Sequence, residues 1–371
     1  MANTQMASTQ MVSTKMIRTK LLRHVGCYLA VGLLSTSVCA ETTLRFAEGG
    51  PNRGTRSQAV EHFMSNASEL SGGELKFDIH WGGALLDYKT VPAGVSVGTA
   101  DLGSVLAVYS PTKLKALAIG DIPHQSADPW VGMRSMYELM TTNEDLQRML
   151  GEENLMYLTG FSSSGVQFEC AGDNRIESVE DIRGKKIRAV AIYSKVLKDM
   201  GADIVGVTAG EIYQALDTGL VDCSASYLYT IRALKTFEVI DHVSLADWGQ
   251  VAGFAVMINR DIWNDLNDNQ RSALQQAGSD TIDYFARLQV AEMDQVVEGL
   301  TSGAIGNKVP VSRWSATERQ RLIDGSEKYI QDWVDAMNRA GVDGQGIWDE
   351  YLAIVARYEA EKERLGYPWE R

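Results

Sequence analysis

Arg188 closes the stretch Asp181-Ile182-Arg183-Gly184-Lys185-Lys186-Ile187-Arg188. Ser178 and Asp181 stand in S-x-x-D spacing, so the segment reads as a capped turn feeding a short strand that ends on an arginine. A guanidinium is a rigid, permanently charged fork that meets a carboxylate with two parallel hydrogen bonds. Fixed at the end of a core strand and facing a cleft, it suits capture of an organic anion. Taken alone, such an arginine is more often a structural salt-bridge partner, so its surroundings must decide. Other chemistry finds little support. His62, His80, His124 and His242 are scattered, without the spacing of a zinc site. No nucleophile elbow is present, and Ser162 to Gly165 has loop composition. Gly49-Gly50-Pro51 and Gly82-Gly83 lack the Lys-Ser/Thr of a phosphate loop and read as turns after strands.

The elements that must position Arg188 follow from periodicity. Leu44 to Ala47 reads as a strand, and Val60, Phe63, Met64, Ala67 and Leu70 recur at helical spacing until Gly72-Gly73 stops them. Leu75, Phe77, Ile79 and Trp81 alternate with polar residues, as a half-buried strand does. A helix after Tyr88 ends near Gly98, and Asp101 to Tyr109 is a third strand. This alternation predicts an α/β lobe with largely parallel strands. The strands around Leu155 to Gly160 and Gly165 to Ala171 begin a second α/β lobe. Thr208 and Glu211 form a capping box, with Ile212, Ala215 and Leu216 on the buried face and Gly219 in the left-handed C-terminal position. Glu211 and Tyr213 are therefore scaffold. Gln270 to Leu300 reads as one helix of about 45 Å at 1.5 Å per residue. Thr317 to Leu365 reads as two helices broken at Gly341 to Gly346.

The D-x-x-G-x-x-I-R pattern, the Gly201-Ala202 pair and Glu211-x-Tyr213-x-Ala215-Leu216-x-x-Gly219-x-Val221-Asp222 resemble the solute-binding proteins of TRAP transporters, of the C4-dicarboxylate-binding type. Phe46-Ala47-Glu48, Trp81 to Leu86, Gly98-Thr99-Ala100-Asp101 and Met257-Ile258-Asn259 fall in the family's order, so the resemblance covers nearly the whole chain after the leader. It implies a two-lobed periplasmic-binding-protein fold, with a central cleft, hinge crossovers and a long helix spanning both lobes. Residues 41–160 would be the first part of lobe I and 161–250 the main part of lobe II. Residues 251–371 would return to lobe I and carry the bridging helix and C-terminal helices. The implied function is a receptor without enzyme activity or cofactor. It would hand an organic acid to membrane permease subunits driven by an ion gradient. A ligand sensor for a signalling partner is the alternative, and a periplasmic enzyme a more distant one.

In that family the arginine at the position of Arg188 clamps the ligand carboxylate. The resemblance further implies cleft contacts from Glu48 or Asn52 after the first strand, from Tyr88, and from Tyr109 at the end of the third strand. Ser226 stands where some relatives place an asparagine. A second basic or polar contact common in relatives falls at Gln167-Phe168, and another polar position falls near Trp248. Phe168, Tyr227, Trp248 and Trp81 or Tyr109 would then make the pocket aromatic. With no second cation expected there, the ligand reads as a bulkier, aromatic or otherwise apolar monocarboxylate rather than a small dicarboxylate.

Lys15, Arg18, Lys20 and Arg23 precede an apolar run from Val25 to Val38, and Val38-Cys39-Ala40 precedes Glu41. This is the pattern of a cleaved secretory signal over residues 1–40, with Met1 or Met16 as the start, and implies a periplasmic protein. The run is too short to span a bilayer, which takes roughly 20 residues. The formal net charge is −13 and becomes more negative once the basic leader is removed. An acidic surface argues against nucleic acid and anionic membranes, and makes anion capture depend on local positive potential. Cys170 and Cys223 flank the Arg188 block on strands of one sheet, so they either pair in the oxidising compartment or remain buried thiols. A monomer is expected of a receptor that must close.

Overall fold

A computed structural model describes residues 41–371, and the leader expected at 1–40 lies outside the described residues. β1 (Thr42–Ala47) buries Leu44 and Phe46 and leaves Arg45 outside, where it pairs with Asp101. β2 (Leu75–His80) and β3 (Leu102–Leu106) flank β1 in parallel, and β4 (Leu155–Gly160) lies at the far edge. β5 (Val166–Cys170), β6 (Lys186–Arg188), β7 (Asp203–Val205), β8 (Cys223–Tyr227) and β9 (His242–Leu245) build a second sheet. β10 (Phe254–Asn259) then returns to the first sheet, and β11 (Val311–Arg313) adds an edge to the second. The strand orders are β2-β1-β3-β10-β4 and β11-β9-β5-β8-β6-β7.

Each sheet is the centre of a lobe, and the connections between them run side by side. Phe161 N–H donates to Phe254 O at 2.8 Å, Ser163 N–H to Val251 O at 2.9 Å and Val166 N–H to Gly249 O at 3.2 Å. The chain leaving the first lobe and the chain returning to it therefore form one antiparallel ribbon. A hinge built this way keeps its backbone groups paired while its dihedrals change.

The long helix is Asp268–Ser302, capped by Asn267, whose side chain accepts from Gln270 N–H. Leu274, Ile282 and Phe285 on its first half belong to the first lobe's core, whereas Val296 and Leu300 on its last turns belong to a core of the second. Gly278 is where this helix touches the first sheet, because a Cβ there would stand 2.2 Å from Leu158 O.

Three details depart from the sequence reading. Leu155–Gly160 pairs with β10 and so finishes the first sheet, inside the 41–160 bounds of lobe I and not at the start of the second lobe where the strand alternation put it. The segment after residue 250 does not lie wholly with the first lobe, since β11 pairs with β9. The tail holds three helices, Ala316–Asp324, Glu327–Arg339 and Gly344–Leu365, with a break at Gly325-Ser326 that no proline announces.

Candidate functional site

A cavity of about 400 Å³ opens where the strands of both sheets end. From the first lobe it is lined by the Glu48–Arg53 loop after β1, Trp81 after β2, Tyr88, and Tyr109 after β3. The second lobe contributes Arg188 from the end of β6, Thr208, and Ser226 and Tyr227 from the end of β8. Carboxyl ends of strands are where open α/β sheets leave room for ligands. A larger depression of about 690 Å³ lies on the first lobe alone, between Tyr137 and Trp263. It draws no residue from the second lobe, and its Arg148 is already paired with Asp145 and Glu152.

Arg188 is 3 % exposed. Its Nε donates to Val207 O and its Nη1 to Ala225 O, both at 3.3 Å, and Nη2 makes no hydrogen bond. Two carbonyls thus fix the plane of the fork, and among the described residues no carboxylate lies in ion-pair contact with it. In register, Arg188 stands beside Ser224, which stands beside Glu169 on the next strand. Glu169 is buried and accepts from Thr236 Oγ1 at 2.6 Å, while its Oε1 has no partner. Burial pushes its carboxyl up to about 7, against the opposing pull of Thr236, Ser226 and, last, Arg188. On the opposite wall of this row, Cys170 and Cys223 face each other across β5 and β8 and are joined by a disulfide.

A second network starts in the first lobe and ends on Tyr229, just after β8. Glu48 is buried and accepts from Ser104 Oγ, from Gly50 N–H at 2.7 Å and from Tyr88 Oη at 2.5 Å. Gly49 and Gly50 are the bed for that tyrosine, since a Cβ on either would come within 2.6 Å of it. Tyr88 Oη also accepts from Arg56 Nη1 at 3.3 Å, and Arg56 Nη2 donates to Tyr229 Oη at 2.9 Å. The Arg56 guanidinium lies 4.5 Å over the Phe254 ring. Burial works against its charge, but Tyr229, Tyr88 and Glu48 outweigh that and hold its proton above the ordinary value. Burial, and then Glu48, hold the Tyr88 hydroxyl well above the usual tyrosine range.

Of the residues expected to contact ligand, Arg188, Glu48, Tyr88, Tyr109, Ser226 and Tyr227 are brought together at the cavity, as is Trp81. Tyr88 and Tyr109 stack at 6.2 Å, and Tyr227 stacks on Tyr229 at 6.0 Å. Three expected residues lie elsewhere. Asn52 is exposed and spends its amide on Glu61 at 3.0 Å. Phe168 is 0 % exposed and stacks on Trp314, because alternate residues of β5 face the second lobe's core. Trp248 is 0 % exposed, edge-on to Tyr193 at 4.8 Å in the same core.

The expectation of a single cation is also corrected, since Arg56 lines the cavity. Its signal was present in the helix Thr55–Leu70, where Arg56 is in phase with the stripe Val60, Phe63 and Ala67. An arginine on a buried stripe needs partners there.

Residues 46–336 match the family model for bacterial extracellular solute-binding proteins, family 7. A solute-binding protein of Albidiferax ferrireducens is 23 % identical over 306 residues, covering 80 % of this chain and 82 % of that one. Two solved structures share the fold. A TRAP periplasmic solute-binding protein from Desulfovibrio salexigens superposes with a TM-score of 0.76 at 20 % identity, covering 88 % of this chain and 99 % of its own. A TRAP solute-binding protein from Rhodoferax ferrireducens, in complex with copurified benzoate, gives 0.73 at 20 % identity, with coverage of 86 % and 99 %.

Proposed function

Since this chain belongs to family 7 of the bacterial extracellular solute-binding proteins, the receptors of TRAP transporters, we propose that it binds an organic carboxylate between its lobes and delivers it to an ion-gradient-driven membrane permease. One observation carries the reading: a buried arginine at a strand end, fixed by two carbonyls and, among the described residues, without a carboxylate partner. Leaving a guanidinium uncompensated out of water costs several kcal/mol. A ligand carboxylate supplies the missing counter-charge at Nη2, with Ser226 at the same end of the sheet to fix its orientation. The tyrosines and Trp81 give the cavity flat apolar walls, which suit a planar or apolar ligand body with one carboxylate. That a relative in fold was solved with benzoate is consistent with such a body.

Closure follows from the ribbon between the lobes. The ligand enters the open cleft, engages Arg188, and shifts the population toward the form in which the first lobe also touches it. The closed shape would dock on the permease from the periplasm, as a monomer, after removal of the leader at 1–40. Native mass spectrometry of the purified protein for a co-purified acid, followed by calorimetry, tests this. Binding should be lost in Arg188→Lys nearly as fully as in Arg188→Ala, because lysine keeps the charge and loses the fork. A lysine variant within twofold of wild type would refute the clamp.

A further inference from the structure

We propose that Glu48 sets the ligand's charge: by neutralising Arg56 through Tyr88, it leaves Arg188 as the uncompensated buried cation and limits the receptor to acids with a single carboxylate. The inference rests on the carboxylate reading above and adds the rule by which ligands are chosen. Among the described residues lining the cavity, the charged groups withdrawn from solvent are Glu48, Arg56 and Arg188. Arg53, Asp87 and Lys89 are exposed at the rim, where water and salt screen them.

The pairing of Glu48 with Arg56 is specific in its atoms. A single hydroxyl, Tyr88 Oη, donates to Glu48 Oε1 at 2.5 Å and accepts from Arg56 Nη1 at 3.3 Å. The other hydrogen bonds to Glu48 come from Ser104 Oγ and Gly50 N–H, the donor set a buried carboxylate takes when charged. Arg56 Nη2 is engaged by Tyr229, and its Nε is buried without a partner. Two of its five N–H groups are taken, and Glu48 cancels its charge at close range through Tyr88. With Glu169 largely protonated, as it is at pH 6, Glu48, Arg56 and Arg188 sum to one positive charge, which matches one carboxylate. A dicarboxylate would bring a second charge into a cleft whose remaining cations, Arg53 and Lys89, are screened at the rim.

The test uses thermal shift and calorimetry with paired acids that differ by one carboxylate: benzoate with isophthalate, phenylacetate with 1,3-phenylenediacetate, hexanoate with adipate. Wild-type protein should prefer the monocarboxylate of a pair by at least tenfold. Glu48→Gln should shift that ratio tenfold or more toward the dicarboxylate, since Arg56 is then uncompensated. Arg56→Gln should weaken all acids, and the double variant Glu48→Gln/Arg56→Gln should restore the wild-type preference, because its buried charge is again one. The double variant separates charge balance from a merely structural role and remains informative if one single variant folds poorly. Wild-type preference for the dicarboxylates, or a ratio unmoved in Glu48→Gln and in the double variant, overturns the inference while leaving an Arg188-dependent receptor intact. Failure of every acid to bind wild type, or binding indifferent to Arg188→Ala, counts against the carboxylate reading itself and the inference with it.

Discussion

Arg56 and Arg188 line the same cavity, and the two lobes hold them in opposite ways. Around Arg56 the first lobe sets the Tyr88 hydroxyl, an aromatic face and, through Tyr88, a carboxylate, and the segment after β8 adds the Tyr229 hydroxyl. The second lobe gives Arg188 two backbone carbonyls and no carboxylate among the described residues; each arginine leaves one nitrogen unbonded, Nε of Arg56 and Nη2 of Arg188. Carbonyls orient a guanidinium without cancelling its charge, so an arginine held by them stays hungry for an anion. An arginine bridged to a carboxylate is a finished piece of structure. An arginine's presence in a cleft thus says less about ligand than the identity of the groups that hold it.

The comparison breaks most readily at Arg188. Truncation to alanine should weaken ligand binding by a hundredfold or more, about 3 kcal/mol, as measured by calorimetry, with little change in stability. Arg56→Met should weaken acids less than that and cost more stability. It strands the Glu48 carboxylate in a buried position, at a cost of about 3 kcal/mol in a urea melt. Comparable losses of affinity in the two variants, with no loss of stability in either, would erase the distinction. Tyr229→Phe sharpens it, removing one donor–acceptor contact of Arg56 and lowering stability by about 1 kcal/mol.

The smallest effect concerns pH. The Glu169 carboxyl is raised to about 7, so it is largely neutral at pH 6 and charged at pH 8. Its charge opposes that of Arg188, so affinity for an anion should fall about threefold between those values at moderate salt. Glu169→Gln should flatten the profile. The stability linkage has its own sign. A carboxyl held above its ordinary value favours the folded state while protonated, and that contribution is lost as pH rises through about 7. Asp121, buried and also raised to about 7 despite the Gly253 N–H, adds in the same direction. His124, which burial and then Arg319 lower to about 4, acts oppositely, its contribution lost as pH falls from its ordinary range toward that value.

Much of this arrangement was legible in the residues. The strand ending on Arg188, the capping box at Thr208 and Glu211 and the long helix all rest on local patterns, and all are present. Phe168 and Trp248 misled because aromatic side chains near strand ends look alike whether they face a cleft or a core; only the alternation along β5 and the packing partners Trp314 and Tyr193 decide. Arg56 was missed for the opposite reason. Its phase on the buried stripe of its helix is a local signal, but its partners Tyr88 and Tyr229 come from segments far apart in sequence. β11 is three residues long and exists only because β9 offers an edge.

Gly278 gives the long helix a second significance, that of a lever. The helix rests on β4 at a residue with no side chain, and from there it runs to Ser302, about 36 Å at 1.5 Å per residue. A methyl group at that fulcrum would meet the carbonyl of Leu158, and the helix would have to lift or tilt to make room. A small displacement there would grow along the arm toward Val296 and Leu300, which are embedded in the second lobe. Gly278→Ala should therefore alter the resting angle of the cleft without touching its lining. Small-angle scattering of the ligand-free variant would register the change, and a profile identical to wild type would show that the fulcrum yields locally.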